Sequence, residues 1–307
     1  MTTVNISGQH WMIDGQITCP GTAAEGQLPN IRMVNASFQD ERRPQFVPDE
    51  ITDRFIAKIP NYRAQGALAF TLGLQGGFPG YEHAVNTAFL PDGTLRKTYL
   101  ERIKRIIRAC DEQKMIVLLS LYYQRQDQHL RDEEAVRSGV AEVCRWLRIS
   151  GFSNVLLEIA NEYGHPGFTH HILRDPGGIA ELIRISKQEA PQLLVSSSSL
   201  GHGRAHPSVA EAGDFVTLHF NETALKEIPL RVRAAANYGK PVLCNEDDKT
   251  GQPGAAAQHA AVTNGCSWGY MNMGRNQVAP FQFDGEADDT EVYAEMRRLA
   301  LKQAHPS

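Results

Sequence analysis

The sequence predicts an α/β fold in the form of a single (β/α)8 barrel with a short N-terminal β-hairpin. Its 307 residues suit one barrel of roughly 250 residues with loop insertions. Short apolar runs alternate with longer amphipathic stretches, and eight such runs can be counted along the chain. The runs are almost continuously apolar, as in strands of a parallel sheet that is buried on both faces. Because counting alone cannot close a barrel, a doubly wound sheet is the alternative.

The predicted elements follow one another from the N-terminus. A turn at Asp14-Gly15 predicts a hairpin over His10–Thr18, within an extension of residues 1–30 that caps the barrel bottom. The barrel occupies residues 31–305 of one domain that covers 1–307. The predicted strands are Ile31–Ala36, Ala67–Gly73, Met115–Leu121, Asn154–Ile159, Leu193–Ser197, Phe215–His219, Pro241–Cys244 and Cys266–Tyr270. The predicted helices are Pro48–Ala64, Leu95–Cys110, Glu133–Arg148, Gly178–Glu189, Glu222–Tyr238, Gly254–Val262 and Glu291–Lys302.

Composition narrows the range of partners. The formal net charge is -4, whereas nucleic acids and anionic membranes favour a basic surface, so neither is expected as a partner. The five cysteines contain no Cys-x-x-Cys pair, which disfavours a disulfide framework or a zinc site. No basic, apolar leader begins the sequence and no apolar run is long enough to span a membrane, so a cytoplasmic protein is expected. The oligomeric state is not predicted.

Polar residues directly after the apolar runs are the candidates for chemistry, because the active site of a barrel forms at the C-terminal ends of its strands. Asn161-Glu162 comes shortly after the fourth run, and Asn245-Glu246 directly follows the seventh. Glycoside hydrolysis requires two carboxylates beside one bond, one protonated and the other ionised. The two glutamates are therefore candidates for this pair.

These landmarks resemble the clan of (β/α)8 (TIM) barrel glycosidases with catalytic glutamates on strands four and seven, in particular the cellulase-like glycoside hydrolase family 5. The resemblance implies that Glu162 is the acid/base and Glu246 the nucleophile of a retaining double displacement without a cofactor. It also implies that Asn161 binds the sugar 2-hydroxyl. His219 ends the sixth run and Trp268 lies in the eighth, which places a histidine near the nucleophile and a tryptophan under the sugar. Further candidates for orienting the nucleophile and the substrate are Arg32, Asn35, Tyr122 and Tyr123.

The sequence departs from this pattern in two places. Asn221 stands where a tyrosine often follows the histidine by two residues, and Glu246 is followed by Asp247 and Asp248. Three adjacent carboxylates leave open whether one of the aspartates shares the role of Glu246. Glu158 lies lower in the fourth run, and a buried ion pair is expected for it.

Two other features suggest different functions. The glycine-rich segment Gly73–Tyr81 lacks the Lys-Ser/Thr of a phosphate-binding loop, so we interpret it as a loop over the barrel mouth, with Phe78 and Tyr81 near substrate. A group of histidines suggests a metal-dependent hydrolase: His165, His170, His171, His202 and His206. The first run has no histidine, which disfavours that reading. A non-catalytic carbohydrate-binding barrel is a further alternative.

The sequence therefore predicts a retaining glycoside hydrolase that acts on a short β-glycoside or oligosaccharide. A short substrate is expected because no second domain or linker is visible and only Trp268 of the three tryptophans lies near a strand top.

Overall fold

The computed structural model of the protein describes residues 1–43, 45–76 and 83–302. Its strands are β1 (Val4–Ser7), β2 (His10–Ile13), β3 (Gln16–Ile17), β4 (Asn30–Arg32), β5 (Ala69–Gly73), β6 (Ile116–Tyr122), β7 (Val155–Ala160), β8 (Leu194–Ser196), β9 (Val216–His219), β10 (Val242–Glu246), β11 (Cys266–Ser267) and β12 (Gly269–Tyr270). Its α-helices are α1 (Pro48–Ala64), α2 (Lys97–Glu112), α3 (Glu133–Ser150), α4 (Pro176–Glu189), α5 (Pro207–Ala212), α6 (Ile228–Ala236), α7 (Gly251–Val262) and α8 (Thr290–Ala300).

The parallel strands confirm the predicted barrel. Six of them pair in the order β12-β4-β5-β6-β7-β8, and β9, β10 and β11 form a second parallel ladder. Only Trp268 separates β11 from β12, and an isolated parallel bridge joins Ser198 to Thr217. The strands therefore follow one another around a ring whose hydrogen-bond ladder is interrupted at these two places.

Two local expectations were wrong. The first barrel strand ends at Arg32, because Val34–Ser37 forms a 3₁₀ turn instead of continuing the strand to residue 36. A six-residue helix, α5, follows β8 where no helix was predicted. It is too short to show an amphipathic period, which explains why the sequence pattern does not reveal it.

The N-terminal segment closes the lower end of the barrel, as predicted. β2 and β3 form the hairpin around Asp14-Gly15, and β1 adds a third antiparallel strand. Trp11 of β2 is fully buried, with its ring centroid 5.2 Å from that of Phe215 at the start of β9. The apolar cluster around Trp11 includes the lower interior residues of the barrel strands, among them Ile116 and Leu156.

The upper half of the barrel interior is polar. Arg32, Glu158, Asn161, His219 and Asn245 are all at most 1% exposed. Buried polar side chains require hydrogen-bond partners, and here they find them in one another. This polar layer lies at the C-terminal ends of the strands and forms the floor of the candidate site. In the described part of the chain, no helix combines the length and apolar character needed to cross a membrane.

Candidate active site

Glu162 is held in an unusual backbone conformation just beyond the end of β7. Its φ is 53°, in the left-handed region that residues other than glycine rarely adopt. The hydroxyl of Ser198 accepts the N–H of Glu162 at 3.1 Å, and the carbonyl of Ser198 accepts the N–H of Tyr163 at 2.9 Å. Such conformations concentrate at functional sites, where the surroundings impose them. The Glu162 side chain is 14% exposed and remains accessible at the barrel mouth.

Glu246 reaches the interior through an irregularity in β10. The pairing with β9 shifts between Cys244 and Glu246, as in a β-bulge, which re-aims the side chains that follow. The Glu246 carboxylate lies 2.8 Å from Nε of Arg32 and accepts the side-chain N–H of Asn221 at 2.5 Å. Its side chain is 8% exposed. Two donors thus fix the position of the carboxylate.

His219 lies between the two glutamates. Its Nδ1 is 3.4 Å from Oε1 of Glu162 and 3.7 Å from Oε2 of Glu246. One ligand-type atom from each of the three side chains lies within 4.8 Å of the others, so the two carboxylates face the same small space. Among the described residues, this is also the one cluster able to offer three ligands to a metal. The histidines that suggested a metal site in the sequence are not part of it.

A chain of hydrogen bonds joins the two glutamates through Arg32. Nη2 of Arg32 donates to Oδ1 of Asn161 at 2.7 Å, and the Asn161 amide donates to Gln124 at 3.2 Å. The Gln124 amide faces Oε2 of Glu162 at 3.4 Å. Sequence reasoning missed Gln124 and Asn221 as site residues, although each lies two residues after the end of its strand, β6 or β9.

The charges of the site are interdependent. Burial acts to lower the pKa of His219, but the carboxylates of Glu246 and Glu162 hold it above its usual value. Burial acts to raise the pKa of Glu162, yet its hydrogen bond to His219 and the charges of His219 and Arg32 hold it below the usual range. The pKa of Arg32 is likewise raised: its burial is outweighed by the charges of Glu246 and Glu158. The free site therefore favours a protonated His219 beside an ionised Glu162.

Two predicted substrate-binding aromatics are not in the site. The Tyr122 hydroxyl donates to the carbonyl of Val136 in α3 at 2.6 Å, and the Tyr122 ring packs against Phe89 in the layer between barrel and helices. The Trp268 indole donates to Oδ2 of Asp247 at 3.0 Å, and Trp268 is fully buried. Both predictions were wrong because these side chains turn outward from the barrel. A strand buried on both faces does not reveal this direction in its sequence.

The remaining orienting candidates have different locations. The Asn35 amide donates to the carbonyl oxygens of Asn276 and Gln277 at 3.1 and 3.4 Å. Asn35 therefore holds the loop after β12 in place. The prediction that Asn35 orients the nucleophile or the substrate was wrong. Tyr123 does lie at the mouth: burial raises its pKa, and so does the neighbouring charge of Glu246. Phe78 and Tyr81 lie outside the described residues.

The three adjacent acidic residues Glu246, Asp247 and Asp248 have different environments in the structure. Asp247 is fully buried and accepts hydrogen bonds from Trp268 and from Lys249, the latter at 2.9 Å. Burial and the charge of Asp247 raise the pKa of Asp248, which is half-buried. Of the three adjacent carboxylates, only Glu246 pairs with Arg32 in the described chain.

Glu158 was expected to form a buried ion pair, and its contact is different. Oε1 of Glu158 accepts the side-chain N–H of Asn245 at 3.1 Å. The expectation was wrong because a neutral amide from β10 occupies this position below the carboxylates of Glu162 and Glu246. Arg32 affects Glu158 through its charge, without a salt bridge between them in the described structure.

Comparisons with known proteins place this arrangement in a recognisable fold. No protein-family model matches the sequence, and neither does any curated protein. Among similar solved structures is the β-1,4-D-mannanase from Cryptopygus antarcticus, with a TM-score of 0.65, 13% identity, and coverage of 99% of this chain and 96% of the mannanase. The family 5 mannosidase from Rhizomucor miehei gives a TM-score of 0.63 at 10% identity, covering 98% of this chain and 96% of the mannosidase.

A third similar structure, from Bacteroides vulgatus, is assigned as a glycoside hydrolase. Its TM-score is 0.64 at 12% identity, and the match covers 96% of this chain. This chain spans only 60% of the length of that protein. At these identities the likeness concerns the fold. The chain has the (β/α)8 barrel fold of the clan that contains family 5 glycoside hydrolases.

Proposed function

We propose that the protein is a retaining glycoside hydrolase that cleaves the O-glycosidic bond of a short β-glycoside or oligosaccharide. The observation that carries the proposal is the approach of Glu162 and Glu246, whose nearest ligand atoms lie within 4.8 Å of one another at the barrel mouth. Retaining enzymes hold their two carboxyl groups about 5 Å apart, whereas inverting enzymes need roughly 6.5–9.5 Å to admit a water molecule. The spacing supports retention.

In the first step, Glu246 attacks the anomeric carbon and Glu162 gives its proton to the departing oxygen. Arg32 and Asn221 hold Glu246 in position before attack. Asn161 donates one amide hydrogen to Gln124, and its second amide hydrogen is suited to the sugar 2-hydroxyl. In the second step, Glu162 takes a proton from water, which then hydrolyses the glycosyl ester on Glu246.

The proton for the first step is stored on His219. In the free site His219 and Arg32 lower the pKa of Glu162, so Glu162 is mainly ionised before the reaction and must receive a proton to act as the acid. Transfer of the proton over the 3.4 Å from Nδ1 of His219 to Oε1 of Glu162 leaves a neutral imidazole and a protonated acid. Once Glu246 is esterified, the charge of Arg32 favours ionised Glu162, the form needed for a base.

The aromatic residues favour a short substrate. Clefts for long polysaccharides use several aromatic platforms, because sugar rings stack on apolar ring faces. Trp11 seals the barrel bottom, Trp146 packs against Phe152 near α3, and Trp268 faces away from the site. The chain therefore has no tryptophan at the barrel mouth with which to grip a polymer.

The test compares kcat/KM on aryl β-mannosides, aryl β-glucosides, β-linked disaccharides and soluble polymers such as mannan and carboxymethyl cellulose. Mannosides come first because the similar structures include a mannanase and a mannosidase. We expect the short substrates to react faster, and NMR should show the initial product in the β configuration. Polymer rates above every short substrate would contradict the size proposal, and an α product would contradict retention.

A metal-dependent hydrolase is the competing function, since Glu162, His219 and Glu246 can offer three ligands. The guanidinium of Arg32 opposes it, because it already pairs with Glu246 and adds a positive charge beside the place of a dication. Activity that is lost with a chelator and regained with one particular metal would favour this alternative.

A further inference from the structure

Three fully buried side chains form a hydrogen-bonded chain below the catalytic carboxylates. Oε1 of Glu158 lies 3.1 Å from Nδ2 of Asn245, and Oδ1 of Asn245 lies 3.0 Å from Nε2 of His219. The chain crosses the barrel from β7 through β10 to β9. It ends on the ring whose other nitrogen, Nδ1, faces Glu162 and Glu246.

The chemistry of these groups fixes the direction of each hydrogen bond. An ionised carboxylate only accepts, so Glu158 requires the NH₂ of Asn245 to point toward it. The Asn245 carbonyl oxygen then points at His219, and because a carbonyl oxygen also only accepts, Nε2 of His219 must carry a proton. In the neutral ring, Nδ1 is consequently the basic nitrogen.

A protonated Glu158 would reverse this order. It would donate to Oδ1 of Asn245, whose NH₂ would turn toward His219 and place the ring proton on Nδ1. In the structure Nδ2 of Asn245 faces Glu158 and Oδ1 of Asn245 faces His219, which is the first of these two orders. The charge of Glu158 also raises the pKa of Arg32, so the two groups attract each other inside the barrel. Within the described part of the chain, Oε2 of Glu158 and Nη1 of Arg32 are both buried and have no hydrogen-bond partner.

We propose that Glu158 is a positioning residue that acts through Asn245 to hold His219 in the tautomer with its proton on Nε2. Nδ1 is then the atom that receives the stored proton and passes it to Glu162. The catalytic consequence rests on the proposed function, whereas the tautomer itself does not. The charged groups that face His219 are Glu162 after β7, Glu246 of β10 and Arg32 of β4.

The first test measures the tautomer of His219 in the wild-type protein. The protein is labelled with ¹⁵N-histidine, the His219 signals are assigned by their loss in His219→Asn, and the ring nitrogens are followed through a pH titration. We expect neutral His219 to carry its proton on Nε2, with Nδ1 titrating. A proton on Nδ1 of the neutral ring would overturn the proposal.

The second test exchanges the donor and acceptor groups. Glu158→Gln can donate as well as accept, so we expect mixed tautomers, a shifted pH–rate profile and a fall in kcat/KM of roughly 10- to 100-fold, the range seen when the outer partner of a metal-bound histidine is lost. The double variant Glu158→Gln/Asn245→Asp again presents only acceptor oxygens to Nε2 and should restore the Nε2 tautomer. If the double variant does not restore the Nε2 tautomer, the proposal that Glu158 acts on His219 through Asn245 is refuted.

Thr217→Val is the matched control. Thr217 lies two residues before His219 on β9, is buried, and donates to Ser196 at 2.9 Å, outside the chain from Glu158 to His219. Its loss should leave the tautomer and the pH–rate profile unchanged. If Glu158→Gln resembles Thr217→Val in both, Glu158 is only structural and the proposal is wrong. If wild-type protein shows the Nε2 tautomer but cleaves no glycoside, the proposed function is wrong, whereas the positioning of His219 by Glu158 through Asn245 remains supported.

Discussion

Nε of Arg32 lies 2.8 Å from Oε2 of Glu246, and the two side chains are only 1% and 8% exposed. The same guanidinium binds Asn161, the residue directly before Glu162, at 2.7 Å. One buried cation from the first barrel strand therefore fixes the distance between groups on the fourth and seventh strands. Arg32 thus links the positions of the two glutamates proposed to act in catalysis.

Replacement of Arg32 should destabilise the fold in a pH-dependent way. Arg32→Met leaves Glu246 as a buried charge without its cation, a loss that typically costs about 3–5 kcal/mol. The loss should shrink in acid, because Arg32 also lowers the pKa of Glu162, and this part of the stabilisation disappears once Glu162 is protonated. Urea unfolding of wild type and Arg32→Met at neutral and acidic pH measures this loss of stability. The control is Arg105→Met, which breaks exposed pairs with Asp49 and Asp53 and should cost about 1 kcal/mol or less. Equal losses in both variants would contradict the prediction.

Removal of the nucleophile should be rescued chemically. Glu246→Gly should abolish turnover of an aryl β-glycoside, and added azide should enter the vacated space and yield an α-glycosyl azide. The product is identified by NMR. Asp248→Asn is the matched control, because this neighbouring carboxylate is only half-buried and should be dispensable for the first step. A loss in Asp248→Asn as large as in Glu246→Gly would mean that the wrong carboxylate has been assigned.

Removal of the acid/base should depend on the leaving group. Glu162→Ala should still glycosylate Glu246 with dinitrophenyl glycosides, which need little protonation, but should lose most of its activity on methyl glycosides and disaccharides. Azide should then give a β-glycosyl azide, because Glu246 remains. A plot of rate against leaving-group pKa measures the effect, and the same slope in wild type and variant would argue against Glu162 as the acid.

Asn221 should contribute through its hydrogen bond to Glu246. Asn221→Ala removes a donor to a charged acceptor, worth about 1.5–3 kcal/mol, so kcat/KM should fall roughly 10- to 100-fold. Asn221→Asp should be more damaging, because it replaces this donor by a second negative charge that repels the carboxylate of Glu246. Comparison of kcat/KM in the two variants provides the check. Equal losses in Asn221→Ala and Asn221→Asp would show that the charge at residue 221 does not act on Glu246.

The pairing of His219 with Glu162 should stabilise the protein within a defined pH window. The pKa of Glu162 is lowered on folding, so its contribution is present above the unfolded value of about 4.3 and is lost as the pH falls through the folded value. The pKa of His219 is raised, so its contribution is present below about 6.5 and is lost as the pH rises through the folded value. The Tm difference between wild type and His219→Asn should therefore peak between these values. A difference that does not vary with pH, as expected for Thr217→Val, would contradict this.

The positions of Glu162 and Glu246 could be predicted because parallel strands bring their C-terminal ends to one rim, whatever the intervening loops do. The directions of Tyr122 and Trp268 could not be predicted in the same way. Both lie in runs that are apolar on two faces, and such runs contain no alternation from which to tell inside from outside. The roles of Asn221 and Gln124 depend on loop conformation after the strand, which residue spacing does not specify.

The shift of pairing in β10 has a consequence for how this barrel can change. In a regular strand Asn245 and Glu246 would point to opposite faces, yet Asn245 meets Glu158 and His219 while Glu246 meets Arg32. A deletion or insertion of one residue near Cys244 would restore the regular alternation and turn either the carboxylate or the amide into the helical layer. We therefore expect this segment to tolerate hardly any change of length in evolution.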